Sequence, residues 1–290
     1  FLSFSDDFFI LRIALYVAER FNIPIISSIA DDYYFNGKFS LSPFYYIYRG
    51  MYKSLVKRIL KRKGSTAIYI GDRIKELYNN TFGIRGITLY LTSDIKRRPF
   101  RPINVKAPII SYYGNIRLGR NKSLIDIGSA LKRINPDYYI NVYSNESEFS
   151  YINSMKKAEG VVFHNAVPYE EVQKGMLESD ILVIVEGFEP SNIKTVKYSI
   201  STKVPDSLAT GAQVLAYGDK ECGAIDYLLS TKALPVCTDK KNLVETLKGL
   251  IENEEDQKKY YKLMSDVLIA NHQIHNNARM FSDLVDSLSY

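Results

Sequence analysis

Short runs rich in β-branched and aromatic residues alternate with helical stretches from one end of this chain to the other. This is the pattern of βαβ units, in which a parallel sheet is covered by helices, so the expected class is α/β. Strands are predicted at Leu2–Ser5, Pro24–Ala30, Thr66–Ile70 and Gly86–Leu91, with helices near 8–21, 43–62 and 72–82. TSDIKRRPFRPINVKAP (92–108) interrupts the alternation with three prolines and a cationic cluster, which reads as an interdomain linker with a boundary near Ala107. The pattern then restarts: IISYYG (109–114), a helix near 122–134, DYYINVYS (137–144), a helix near 147–157, VVFH (161–164), PYEEVQKGM (168–176), DILVIVE (180–186), a polar loop to about 199, STKVPDSLATG (201–211) and AQVLAYG (212–218). Helices follow after 221 and 239, then around 254–270 and 275–288. At 290 residues there is room for two domains of about 100–200 residues each.

No apolar run approaches the roughly 18 residues that span a bilayer, and FLSFSDDFFI is broken by Asp6 and Asp7. Cys222 and Cys237 are too few for a disulfide framework and lack C-x-x-C spacing, which points to a reducing compartment and a cytoplasmic protein.

The formal charge of +6 is unevenly placed, because residues 1–107 carry 18 Lys/Arg against 8 Asp/Glu while 108–290 carry 20 against 24. In the first part, SPFYYIYRGMYKSLVKRILKRKGS sets Phe44, Tyr45, Tyr46, Tyr48 and Tyr52 ahead of Lys53, Lys57, Arg58, Lys61, Arg62 and Lys63. An apolar stripe beside a cationic face over 43–63 suits an anionic membrane surface, where each cation contributes about 1 kcal/mol. The same spacing suits a core-packed helix with a solvated basic end. No nucleic-acid motif accompanies the charge, so nucleic acid is not an expected partner.

In an open parallel sheet, ligands bind beyond the carboxyl ends of the strands, where helix N-termini attract anions. Two loops of the second domain fit that position. In the first, a predicted strand ends at Gly114, and Asn115, Arg117, Arg120 and Lys122 follow before a helix that opens near Asn121 or Ser123. A diphosphate there would gain charge-assisted hydrogen bonds of roughly 1.5–3 kcal/mol each; otherwise the loop is an exposed basic turn. The second is YSISTKVPDSLATG (198–211): Ser201 and Thr202 suit a helix start, Pro205 a first turn and Gly211 a stop. Lys203 and Asp206 fall one turn apart, placing an ammonium for a phosphate beside a carboxylate for vicinal hydroxyls. As a bare i,i+3 pair they would form a surface salt bridge.

KYSISTKVPDSLATGAQVLAYG (197–218) together with YYGNIRLGRNKSL (112–124) resembles the donor-binding half of GT-B glycosyltransferases of the family 4, or group 1, type, especially those of bacterial capsular and other surface polysaccharides. The first part is similar to the later portion of such an enzyme's acceptor domain, including Ser5-Asp6-Asp7 and Ala30-Asp31-Asp32. The resemblance implies two Rossmann-like domains facing a cleft: a partial acceptor domain with linker (1–107), a donor domain (108–270) and a terminal helix (271–290) crossing back. It implies a hexosyltransferase that takes a nucleotide diphosphate sugar and a glycan or lipid-linked acceptor, by retaining chemistry and without a metal cofactor. Gly114, Arg117, Arg120, Lys122 and Lys203 would hold the diphosphate and Asp206 the ribose, with Asn115, Tyr198, Ser201 and Thr202 also on the donor-binding side. Asp6, Arg120 and Lys203 would stand at the reaction centre.

The chain departs from the family pattern in places. The E-x7-E motif would put glutamates at Tyr198 and Asp206, and only Asp206 keeps the charge; a phenol at Tyr198 can donate to a sugar hydroxyl. Glu186 and Glu189 flank VEGFEPSN as alternative acceptors. The histidine the family often has near Ser5 or Asp6 is missing. His164 ends a predicted strand, and His272 and His275 show no third ligand, so no metal site is expected. A second reading is a nucleotide-sugar-binding accessory subunit without catalysis. The opening on Phe1 inside a strand, with about four strands before the linker, leads to the expectation that the acceptor domain is incomplete in this chain.

Overall fold

The computed structural model describes residues 1–5, 7–37 and 39–288. Two compact units emerge, each around its own parallel sheet. The first comprises residues 1–91, 198–200 and the stretch from Ile274 onward; the second comprises 92–197 and 201–273.

In the first unit, β1 (Leu2–Ser3), α1 (Phe8–Phe21), β2 (Ile26–Ile29), α2 (Pro43–Leu60), β3 (Thr66–Tyr69), α3 (Asp72–Phe82) and β4 (Gly86–Thr88) alternate, and the strands pair in parallel in the order β1-β2-β3-β4. α1 starts where the Asp7 carboxylate accepts from the Phe9 and Ile10 amides at 2.9 and 3.2 Å, and it ends at Asn22 in the left-handed region. α2 opens with Pro43 and buries Tyr52, Leu55, Val56, Ile59 and Leu60, while Lys57, Lys61 and Lys63 stay exposed. Its second half is therefore core-packed with a solvated basic end. The first half leaves Phe44, Ile47 and Met51 exposed.

The second unit runs β5 (Ile110–Tyr113), α4 (Arg120–Ile134), β6 (Ile140–Ser144), α5 (Phe149–Lys157), β7 (Val161–Asn165), α6 (Tyr169–Glu178), β8 (Ile181–Val185), α7 (Pro190–Val196), α8 (Lys203–Thr210), β9 (Gln213–Tyr217), α9 (Gly223–Thr231), β10 (Val236–Cys237), α10 (Leu243–Glu252) and α11 (Glu254–Asn271). Its sheet is parallel, in the order β10-β9-β8-β5-β6-β7. Every residue of β8 and β9 is buried, as a sheet covered on both faces requires. Strand order reverses between β5 and β8, and that switch point is where an open α/β sheet leaves a crevice. A last helix, α12 (Ile274–Asp286), belongs to the first unit, where Asn277 donates to the Tyr90 carbonyl at 2.6 Å.

Two expectations change. The division falls between Leu91 and Thr92, not near Ala107, because 92–108 is no free linker. Its arginines dock on the second unit: Arg97 on the carbonyls of Leu208 and Tyr261, Arg98 on that of Ser179 at 2.8 Å, and Arg101 on that of Glu178 at 2.7 Å and on the Asp180 carboxylate at 2.9 Å. Several of these carbonyls lie near helix C-termini, where cations are favoured. The polar loop after β8 contains α7, started by Pro190 in its first turn.

Candidate functional site

A cavity of about 350 Å³ opens at the carboxyl ends of β5 and β6, lined by Gly114, Tyr143, Val167, Tyr169, Lys203 and Asp206 among others. All of its lining residues belong to the second unit. Gly114 ends β5 with φ +139, and a Cβ there would overlap Cε and Nζ of Lys203. Gly114 is thus both conformationally required and the reason the lysine can lie against the backbone. Gly114→Ala is expected to displace Lys203 and weaken anion binding at least about tenfold, checked by calorimetry with a nucleoside diphosphate. Unchanged affinity would show that this contact is unimportant.

Lys203 and Asp206 lie one turn apart on α8, and both line the cavity as the spacing predicts. Lys203 sits 5.7 Å from the centre of the Tyr112 ring, and burial together with the nearby Arg120 charge lowers its pKa to about 8, partly offset by Glu186. Burial raises the Asp206 pKa, and a hydrogen bond from Ser93 opposes that shift. Thr202 also lines the cavity, while Ser201 accepts the Lys203 amide on its hydroxyl at 3.3 Å.

Arg120 opens α4 and makes a two-pronged ion pair with Glu186, with Nε and Nη2 each 3.0 Å from a carboxylate oxygen. The two side chains are only 13% and 4% exposed. Burial opposes the Arg120 charge, but the Glu186 carboxylate outweighs it and raises the guanidinium pKa. Glu186 follows the last residue of β8, where its carbonyl accepts from the Ser123 hydroxyl at 2.7 Å. Lys203 lines the cavity within the field of the Arg120–Glu186 pair, neither of which is among the lining residues.

Other predicted site residues are placed elsewhere. Arg117 is taken up by Glu146, at 2.7 and 2.8 Å, with Glu148 3.8 Å away, so it is not among the cavity-lining residues. Lys122 pairs with Glu189 at 2.6 Å and is 70% exposed. Asn115 is used within its own loop: its side-chain oxygen accepts the Arg117 amide at 2.6 Å, and its carbonyl accepts from Tyr112. Tyr198 packs against the core of the first unit and does not line this cavity. Asp6 lies outside the described residues. The amides of the α4 N-terminus differ from expectation as well, because those of Arg120, Asn121, Lys122 and Ser123 are all accepted by the loop carbonyls of Arg117, Ile116 and Gly119. Positive charge in the cavity therefore comes from side chains.

Residues not anticipated as site residues form the apolar side of the cavity. Tyr113 and Tyr143 stack at 4.8 Å and 9°, and Tyr143 stacks on His164 at 4.4 Å and 14°, following the register in which these three residues are partners across β5, β6 and β7. His164 is a packed residue, bonded to the Asn141 side chain at 2.9 Å. The available signal was positional, since Tyr143 and Ser144 end one predicted strand and Val167 and Tyr169 follow the next. Among the described residues, no group of three or more His, Cys, Asp or Glu side chains is placed to hold a metal ion.

No family model and no curated protein matches the chain. Solved structures do match. WaaG, a glycosyltransferase involved in lipopolysaccharide biosynthesis, is 13% identical with a TM-score of 0.61, covering 89% of this chain and 77% of WaaG. TarM is 11% identical with a TM-score of 0.67, covering 97% of this chain and 58% of TarM. Anabaena HepE, solved in complex with UDP-glucose, is 12% identical with a TM-score of 0.64, covering 96% of this chain and 76% of HepE. The chain thus spans only part of each of these proteins. With two parallel-sheet units and these neighbours, it carries the GT-B fold of glycosyltransferases.

Proposed function

We propose that this protein is a glycosyltransferase that moves a hexose from a nucleotide diphosphate sugar to a glycan or lipid-linked acceptor in surface polysaccharide synthesis. The reading places it in the cytoplasm, at the inner face of the membrane, working with retention and without a divalent metal. One observation carries the reading: Lys203 and Asp206 enter a single cavity from one turn of α8, beside Gly114 at the sheet's switch point. The ammonium of Lys203 neutralises the diphosphate, and Arg120, held by Glu186, adds to the positive potential behind it. Stabilising the departing charge with fixed cations is the electrostatic part of such a transfer. Asp206 accepts from the ribose hydroxyls, and the side of the cavity formed by Tyr143, Val167 and Tyr169 suits the flat base.

The test is a panel of UDP-, GDP- and dTDP-sugars read by thermal shift and calorimetry. Binding of at least one donor is expected, and Asp206→Ala should weaken it about 10- to 100-fold, the worth of one or two hydrogen bonds to a charged group. Failure of every donor to bind, or undiminished binding by the variant, would reject the reading. A second reading, a donor-binding accessory subunit without turnover, is favoured by one feature. Glu186 is committed to Arg120 and Tyr198 packs in the first unit, so neither offers the hexose an unengaged carboxylate. Donor binding without sugar transfer or hydrolysis would select it.

A further inference from the structure

Asp206 has company at its end of the cavity. The segment that enters the second unit at Thr92 follows α8 from the turn of Asp206 to its end. Arg97 donates to the Leu208 and Tyr261 carbonyls, the Arg98 amide donates to the Thr210 carbonyl at 3.0 Å, and the Tyr261 hydroxyl donates in return to the Arg98 carbonyl at 2.9 Å. The Arg97 guanidinium also lies 4.2 Å from the centre of the Tyr261 ring. Packing is close enough that a Cβ at Gly211 would come within 2.7 Å of the Arg98 carbonyl oxygen. Residues 97 and 98 are thereby fixed against α8, and Ser93 and Asp94 reach Asp206 from a braced backbone.

Around that carboxylate the polar groups divide by sign. The Ser93 hydroxyl oxygen accepts the Ile95 amide at 3.3 Å, a local turn that leaves the hydroxyl proton for Asp206. Asp94 brings a like charge, and its carboxylate accepts from Gln173 on α6 at 3.3 Å. Tyr169, also on α6, lies in the field of both aspartates, and Lys203 precedes Asp206 by one turn on α8. Ser93 is therefore the donor that the segment supplies to Asp206, where burial and Asp94 both disfavour the carboxylate. Ser93 is not among the residues lining the cavity, whereas Asp206 is.

We propose that Ser93 is a positioning residue for the donor: its hydroxyl fixes the Asp206 carboxylate toward the ribose hydroxyls, and the stretch 93–98 is the brace that holds Ser93 in place. The inference rests on the reading that Asp206 takes the ribose. A segment with the composition of a linker then belongs to the donor site.

The test is calorimetry of the full chain with UDP and GDP, each against its 2′-deoxy counterpart. The parent should bind at least one ribonucleotide about tenfold more tightly than the deoxy form, and Asp206→Ala should remove that preference. Ser93→Ala should cut the preference to about twofold, Ser93→Thr should restore it, and Ser93→Ala added to Asp206→Ala should have no further effect. The pH profile supplies a readout that a merely structural role would not move. A donated hydrogen bond favours the carboxylate, so without it Asp206 takes up its proton at higher pH. The acid-side loss of ribonucleotide affinity should accordingly begin at higher pH in Ser93→Ala than in the parent. A ribose preference that Asp206→Ala abolishes but Ser93→Ala leaves intact, or an unmoved pH profile, would overturn the inference and leave the proposed function standing. Absence of nucleotide binding, or a preference indifferent to Asp206→Ala, would overturn both.

Discussion

Glu186→Ala is expected to destabilise the second unit by about 3–5 kcal/mol, because it leaves the Arg120 guanidinium buried without its counter-charge. The same change should reduce donor binding, since Arg120 no longer stays fixed behind the cavity. Thermal unfolding of the variant checks the first effect and calorimetry the second. The double variant Glu186→Leu/Arg120→Met discriminates between a structural pair and a functional one. Replacing both charges by apolar groups removes the desolvation penalty as well as the attraction, so stability should recover most of the loss while donor affinity stays low. If the double variant recovered donor binding too, Arg120 would have no role toward the ligand. If Glu186→Ala melted like the parent, the buried pair would not have the strength its geometry implies.

Lys203→Met is expected to act in opposite directions on stability and on function. The folded-state pKa of Lys203 is about 8, below its ordinary 10.5, chiefly because burial disfavours the ammonium. Below about pH 8 the folded protein bears the full penalty of a buried charge. Between about 8 and 10.5 the folded state has lost this proton while the unfolded state retains it, so stability rises with pH across that window. Above it, the penalty is gone. Methionine removes the penalty at neutral pH, so the variant should be more stable by up to about 3 kcal/mol and should lose the rise with pH. Donor affinity should fall by about 10- to 100-fold, the worth of a charge-assisted hydrogen bond to phosphate. In the parent, donor binding just above the lysine pKa should take up a proton, measurable by calorimetry in buffers of different ionisation enthalpy. A variant no more stable than the parent, with unchanged affinity, would remove Lys203 from the site.

Much of the fold and the core of the site were legible because they depend on neighbours in sequence. The helix over 8–21 follows from apolar spacing and an aspartate cap, and its observed bounds are Phe8–Phe21. α8 follows from Pro205 in its first turn and Gly211 at its end, and an i,i+3 spacing is enough to bring Lys203 and Asp206 to one cavity. Two residues carry no period, so β10 leaves no sequence signal, and α7 leaves none because a polar helix of about two turns has no apolar stripe. The segment 92–108 looked like a linker because its arginines have no partners nearby in sequence; their partners are carbonyls roughly 80 to 160 positions away.

The opening alternation of apolar runs and helices was sufficient by itself to determine a parallel α/β chain in two parts and the loops that bear its ligand chemistry. Which charges work together was settled only in three dimensions. Arg117, Arg120 and Lys122 are equivalent cations in one basic loop, yet Arg117 is drawn to Glu146, Lys122 to Glu189, and Arg120 alone turns to Glu186 beside Lys203. The physical reason is that helical and strand periodicity is imposed by bonds within a few residues, whereas an ion pair is imposed by strand order. β8 lies next to β5 in the sheet although some 70 residues separate them, and that adjacency brings Glu186 to Arg120.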